Sequence, residues 1–292
     1  MPFVILLCCR VAVIALCGAF LTVQPISAQI VPPTGKVVLD PAVIRLAEAM
    51  HLPEVFDIMA EEGRVYGVTL EEEMFPSLGG AAWAADVDRI YAPERTYRAF
   101  LRALSLRLSG NAALPEMEAM LTSDLGRKAN MLETTARRAL LNKEVEEAAR
   151  MRFEELAGQD DPRYHLVASY IDANDLVEFN VAGGMNAAKA FYDGLSAGGA
   201  FDVPMSEDQI VQEVWAQEPA IRAEAETWLG TMLTMAYAPL TDAELRQYTA
   251  LSQGHAIRAL NSALYSAFDD SFRAVSRDLG LAAAKYIAGE AL

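Results

Sequence analysis

Apolar residues return every three or four positions along most of the chain, most clearly over 255–279. There Ile257, Leu260, Leu264, Phe268, Phe272, Val275 and Leu279 fall along one side of a helix with 3.6 residues per turn. The opposite side mixes Arg258, Asp269, Asp270, Arg273 and Arg277, without the basic excess that an anionic membrane surface selects. This predicts a helix packed on a protein core and ending near Gly280. Helix-start signals recur elsewhere. Asp40 precedes Pro41, and Thr69 with Glu72, Ser206 with Gln209 and Thr241 with Glu244 each have the spacing of a reciprocal capping box. Pro93, Pro115 and Pro219 stand where periodic segments begin, and Gly110, Gly158 and Gly280 near their ends. No comparable strand pattern is present, so the expected class is all-α, built from amphipathic helices.

The first 28 residues follow a different pattern. Arg10 is their only charged side chain, an apolar run over 11–21 follows it, and Pro25 precedes the small residue Ala28. This is the layout of a cleaved signal peptide, with cleavage expected after Ala28 and the product exported to the periplasm. An uncleaved anchor would place Arg10 near the bilayer centre at a cost of about 2.5–3.5 kcal/mol. Leu16 before Cys17 is too large for a lipidation site. Residues 29–40, with Pro32-Pro33-Thr34-Gly35, read as an extended lead-in. Cys8, Cys9 and Cys17 all lie in the leader, so the mature chain is cysteine-free, and neither a disulfide nor thiol chemistry is available to it.

Composition narrows the partners. With 53% hydrophobic and 22% charged residues the chain is rich enough to form a core. Its 24 basic residues stand against 40 acidic ones, a formal net charge of −16. Loss of Arg10 brings this to about −17. Such a surface repels phosphate backbones, so nucleic acid is not an expected partner, and no membrane span is expected after signal cleavage.

Aligned with itself, the chain pairs Ala47 with Ala168, Met50 with Ile171, Val55 with Leu176 and Gly63 with Gly184, at an offset of 121 residues. Further on, Gly126 pairs with Gly254 and Leu132 with Leu260, at an offset of 128. This predicts two copies of one unit, over 41–157 and 163–292, with a turn at Gly158-Gln-Asp-Asp-Pro162 and an insertion at Ser196-Ala-Gly-Gly-Ala200. Two similar helical bundles meeting at their apolar faces are expected, with a cleft at the seam.

The segment Tyr237-Ala-Pro-Leu-Thr-Asp-Ala-Glu-Leu245, followed by Tyr248, Leu251-Ser252, Gly254 and Leu260, resembles domain-of-unknown-function family 2059, helical domains of exported bacterial proteins. The resemblance covers about 228–279. A fainter instance covers 117–141, around Ser123-Asp-Leu-Gly126. In the clearer instance Ser252-Gln-Gly254 is one residue shorter than the family's Ser-Pro-x-Gly. The resemblance implies an exported helical module and brings no catalytic residue.

Candidate chemistry is sparse. His51, His165 and His255 lack a second His or a Cys at metal-ligand spacing, although Glu54 and Asp161 stand one helical turn from His51 and His165. The acidic clusters at Glu71-Glu72-Glu73, Glu144 with Glu146-Glu147, Glu154-Glu155, Asp160-Asp161 and Asp269-Asp270 read as solvated helix faces and lack the EF-hand loop pattern. Gly183-Gly184 with Lys189 misses the spacing of a phosphate loop. Trp215, Trp228, Tyr237, Tyr248 and Tyr265 are either core residues or a groove lining. No catalytic, cofactor-binding or metal residue is assigned and no cofactor is expected. The leading reading is a non-catalytic periplasmic interaction or structural module, with a protein or a small apolar ligand as partner. The alternatives are a carboxylate-dependent enzyme such as a hydrolase, and a carrier holding an apolar ligand between the halves.

Overall fold

The computed structural model describes residues 39–289. The expected signal peptide, its cleavage point after Ala28 and all but the last two residues of the lead-in lie outside the described residues. Among the described residues the chain forms twelve α-helices and no strand. The first half holds α1 (Pro41–Ala49), α2 (Leu52–Met74), α3 (Gly80–Ile90), α4 (Pro93–Leu108), α5 (Leu114–Leu121), α6 (Asp124–Ala139) and α7 (Lys143–Gly158). The second holds α8 (Pro162–Ala173), α9 (Leu176–Ala197), α10 (Glu207–Tyr237), α11 (Asp242–Ser252) and α12 (His255–Ile287).

Several helix starts are where local chemistry puts them. The Asp40 carboxylate accepts from the Ala42 amide at 2.9 Å ahead of Pro41, and the capping boxes Ser206/Gln209 and Thr241/Glu244 are both closed. Each cap satisfies amides that a helix terminus otherwise leaves free, worth about 1 kcal/mol. Three expected boundaries fall inside helices instead. Thr69 lies within α2, its hydroxyl turned back to the Val65 carbonyl, because the apolar stripe runs through it. Pro219 is interior to α10; it cannot donate to the Trp215 carbonyl, and this stretch lies at the surface, with Trp215 62% exposed. Gly280 is interior to α12 and serves close packing. A Cβ there would lie 2.2 Å from the Phe191 carbonyl oxygen, and one on Gly194 would lie 2.3 Å from that of Arg277. Only glycine lets α9 and α12 approach this closely.

The halves do not form two separate bundles. Helices cross between them: α12 packs on α9 of its own half and also on α4, α3 and α5 of the first, and α6 packs mainly on α10 of the second. Some contacts recur in both halves, α1 with α5 as α8 with α11, and α1 with α2 as α8 with α9. A continuous apolar cluster from Val43 to Phe272 spans both halves.

Burial follows the same correspondence. Val43, Leu46, Ala47, Met50 and Leu52 are buried, as are Val167, Tyr170, Ile171, Asn174 and Leu176, 124 residues on. Phe100, Leu101, Leu104 and Leu108 match Trp228, Leu229, Met232 and Ala236 at 128, and Leu114, Met117, Leu121, Ala129, Asn130 and Ala136 match Leu245, Tyr248, Ser252, Leu260, Asn261 and Ala267 at 131. The backbone agrees. His51 and Asp175 both take left-handed φ, 53° and 51°, between helices. Ser123 and Gly254 are both extended N-caps, of α6 and α12. These two junctions lie 131 residues apart, against the 128 expected for Gly126/Gly254 and Leu132/Leu260.

Candidate functional site

A groove of about 550 Å³ lies between the two halves, lined by Met120, Ser123, Asp124, Leu125 and Lys128 from the α5–α6 turn and by Glu244, Gln247 and Leu251 from α11. Its volume is in the range of small-ligand pockets, about 300–1,000 Å³. Met120, Leu125 and Leu251 give it apolar walls, and Leu251 is 37% exposed. Lys128 Nζ meets Glu244 Oε1 at 2.7 Å across it. Glu244 Oε2 also accepts from the Thr241 amide at 2.7 Å and hydroxyl at 2.9 Å. The Lys128 hydrogen bond first, and then those from Thr241, pull the Glu244 carboxyl down to about 2. The Ser123 hydroxyl donates to the Met120 carbonyl at 2.7 Å and accepts from the Gly126 amide at 3.0 Å. It is the cap of α6, engaged on both sides by backbone groups.

Also between α6 and the second half lies a buried polar cluster. Asn130, Glu133, Thr134 and Arg137 turn inward from α6. The phenols of Tyr237 and Tyr248 donate to Glu133 Oε1 at 2.7 and 3.2 Å, and the Tyr170 ring stacks on Tyr248 and meets Tyr237 edge-on. Burial, and after it the charge of Glu133, push all three phenols well above their ordinary pKa. Arg137 grips Glu62 with Nε to Oε1 at 3.1 Å and Nη2 to Oε2 at 2.6 Å, and its guanidinium carbon sits 5.7 Å from the Trp228 ring centroid. Nη1 has no hydrogen-bond partner among the described residues. Bidentate pairing and the aromatic face offset the cost of burying this charge.

The residues singled out by sequence are mostly dispersed. His51 is the exposed residue between α1 and α2, and His255 opens α12 on the surface. His165 Nε2 contacts Asp160 at 2.7 Å, while Asp161 caps α8 instead. Among the described residues no group of His, Cys, Asp and Glu is arranged to hold a metal ion. Several members of the acidic clusters form ion pairs, among them Glu154 on Arg150, Glu155 on Arg152 and Asp270 on Arg107. Glu71 instead caps α3 through the Gly79 and Gly80 amides. Gly183, Gly184 and Lys189 are interior to α9, and Lys189 pairs with Asp193 at 3.0 Å. Trp228, Tyr237, Tyr248 and Tyr265 are buried and only Trp215 is exposed. No helix among the described residues is long and apolar enough to cross a membrane. Glu62, Glu133 and Arg137 were not legible as a set. The available clue was polar residues at the inward positions of the 124–139 helix, and the register that makes those positions inward is set by the second half.

No family model, no curated protein and no solved structure matches this chain with significance.

Proposed function

We propose that the chain is an exported, non-catalytic interaction module built from two copies of one helical unit, and that it receives a partner protein in the groove between the α5–α6 turn and α11. The observation that carries this reading is the composition of that groove. Both halves contribute to it, and Met120 and Leu251, which line it from α5 and α11, occupy matching positions 131 residues apart. Apolar walls beside one internal ion pair suit an amphipathic polypeptide segment. The matched burial and matched helix junctions support descent from one unit. The layout of Arg10, the apolar run over 11–21 and Ala28 supports export. The resemblance to the exported helical family rests on the α11–α12 segment, whose Glu244 lines the groove. The buried carboxylate favours a structural role over an enzymatic one, because Glu133 and its tyrosine partners have no exposed surface through which to meet a substrate.

The test is capture of partners from periplasmic extract with the full chain and with a Met120→Arg/Leu251→Arg variant that keeps its helical content. Specific capture lost in the variant is the expected result. Equal capture by both removes the groove from the proposal.

A further inference from the structure

α7 is held differently from the helices around it. Its start is local, since the Asn142 side-chain oxygen accepts from the Glu144 and Val145 amides at 2.9 and 3.3 Å. The ion pairs of Arg150 and Arg152 run to Glu147, Glu154 and Glu155 on the same helix. α6, by contrast, is tied to α2 through Arg138 to Glu54 and Glu61. Leu156 is the one buried residue of α7, and Ala149 touches the edge of the continuous apolar cluster. On α10 the helix is fixed by a ring in a notch. A Cβ at Gly230 would lie 2.2 Å from the Phe153 ring, so Phe153 rests where only glycine leaves room. Ten residues past Phe153, Arg163 reaches the carbonyl of Tyr237, seven past Gly230, so α7 and α10 run side by side in the same direction. Thr234, one turn past Gly230, shares its face and lies toward Leu156 and Ala157. The Thr234 hydroxyl is buried with no hydrogen-bond partner among the described residues, and so is that of Thr231 beside it.

We propose that α7 is a displaceable strap over a helix-binding face of α10. A partner protein's amphipathic helix takes its place, seating an aromatic side chain on Gly230 and a hydrogen-bonding side chain one turn further on. The seated α7 defines what fits the notch: a ring, with the small residues Ala149 and Ala157 one turn to either side, so that the backbones approach closely. It also defines what the strap lacks, because the side chains of Leu156 and Ala157 have no group to meet the Thr234 hydroxyl. A buried hydroxyl without a partner is unfavourable, so a helix with Gln, Asn or Ser at the position of Ala157 gains a bond that α7 cannot make. The strap itself leaves readily, since it takes one buried side chain and one partly buried ring with it and keeps the ion pairs of Arg150 and Arg152. This face is separate from the groove, whose walls come from α5, α6 and α11, and the inference stands without the groove as a partner site.

The test uses the full chain and a fluorescent synthetic peptide of the α7 sequence, Asn142 to Gly158, carrying Ala157→Gln. Fluorescence anisotropy should show binding to the Phe153→Ala chain about tenfold tighter than to the native chain, because a weakened strap leaves the face free for a larger fraction of the time. Leu156→Ala is the milder opening to use if Phe153→Ala loses helical content. Gly230→Leu added to the opened chain fills the notch from the α10 side and should abolish binding. Thr234→Val added instead should make peptides with Gln and with Ala at position 157 bind alike. Thr234→Val alone should raise the midpoint of urea unfolding, and a fall would show that the hydroxyl is already bonded. Met120→Arg/Leu251→Arg in the opened chain should leave peptide binding unchanged. Equal binding to native and opened chains overturns the strap. Binding that survives Gly230→Leu, or that is lost with the groove substitutions, overturns the α10 face. A dimer of the opened chain without peptide would give the face to a second copy and overturn the partner helix.

Discussion

The Tyr237 phenol, on α10 of the second half, donates a 2.7 Å hydrogen bond to the Glu133 carboxylate on α6 of the first. It ties α6 to α10 at a point that residues of both halves complete. Tyr237→Phe should destabilise the protein by about 1–3 kcal/mol, since the ring and its packing remain while a buried acceptor loses its shorter donor. Tyr248→Phe, which removes the 3.2 Å bond, should cost less. Urea unfolding at neutral pH reads both, and the reverse order would mean that Tyr248 is the principal donor.

Gly280→Ala and Gly194→Ala each place a Cβ within 2.3 Å of a carbonyl oxygen on the facing helix, so α9 and α12 must separate. A loss of about 1–3 kcal/mol is expected for either, as for other overpacked sites. Gly183 is also in α9, but a Cβ there meets nothing within 4 Å. Gly183→Ala should therefore stabilise by about 0.5–1 kcal/mol through helix propensity and unfolded-state entropy. Thermal unfolding of the three variants separates close packing from propensity.

Glu244 titrates at about 2 in the folded chain, below its ordinary 4.5. Its contribution is therefore present above pH 4.5 and lost as pH falls toward 2. The midpoint of thermal unfolding should drop less between pH 5 and pH 2 in Glu244→Gln than in the native protein. Lys128→Met, which removes the largest cause of the depression, should flatten the same window. Parallel profiles for native protein and Glu244→Gln would place the acid sensitivity in other carboxylates.

If the leader is removed after Ala28 as proposed, the exported protein begins at Gln29 and carries no cysteine. N-terminal sequencing of periplasmic material should read Gln-Ile-Val-Pro-Pro, and the unfolding midpoint should be unchanged by reductant. Recovery of Met1 in the membrane fraction would sink the cleavage assignment.

The sequence by itself determined what depends on neighbours along the chain. The stripe from Ile257 to Leu279, the Asp40 cap and the boxes at Ser206 and Thr241 are local, because a helix start needs only a side chain two or three residues from a free amide. The all-α class follows from that periodicity. Thr69, Pro219 and Gly280 went the other way, because each sits in a helix whose packing outweighs a local stop signal. The proposed recurrence was visible in outline, but its register was not. Offsets of three and four residues leave a helix face nearly unchanged, so Leu132 and Ala129 compete equally as the partner of Leu260 until burial chooses Ala129. Only the tertiary structure decided that α6 packs on α10, and with that it placed Glu133 and Arg137 among Tyr170, Tyr237, Tyr248, Glu62 and Trp228. Those residues come from α2, α6, α8, α10 and α11, and no spacing along the chain encodes which helices a buried charge will meet.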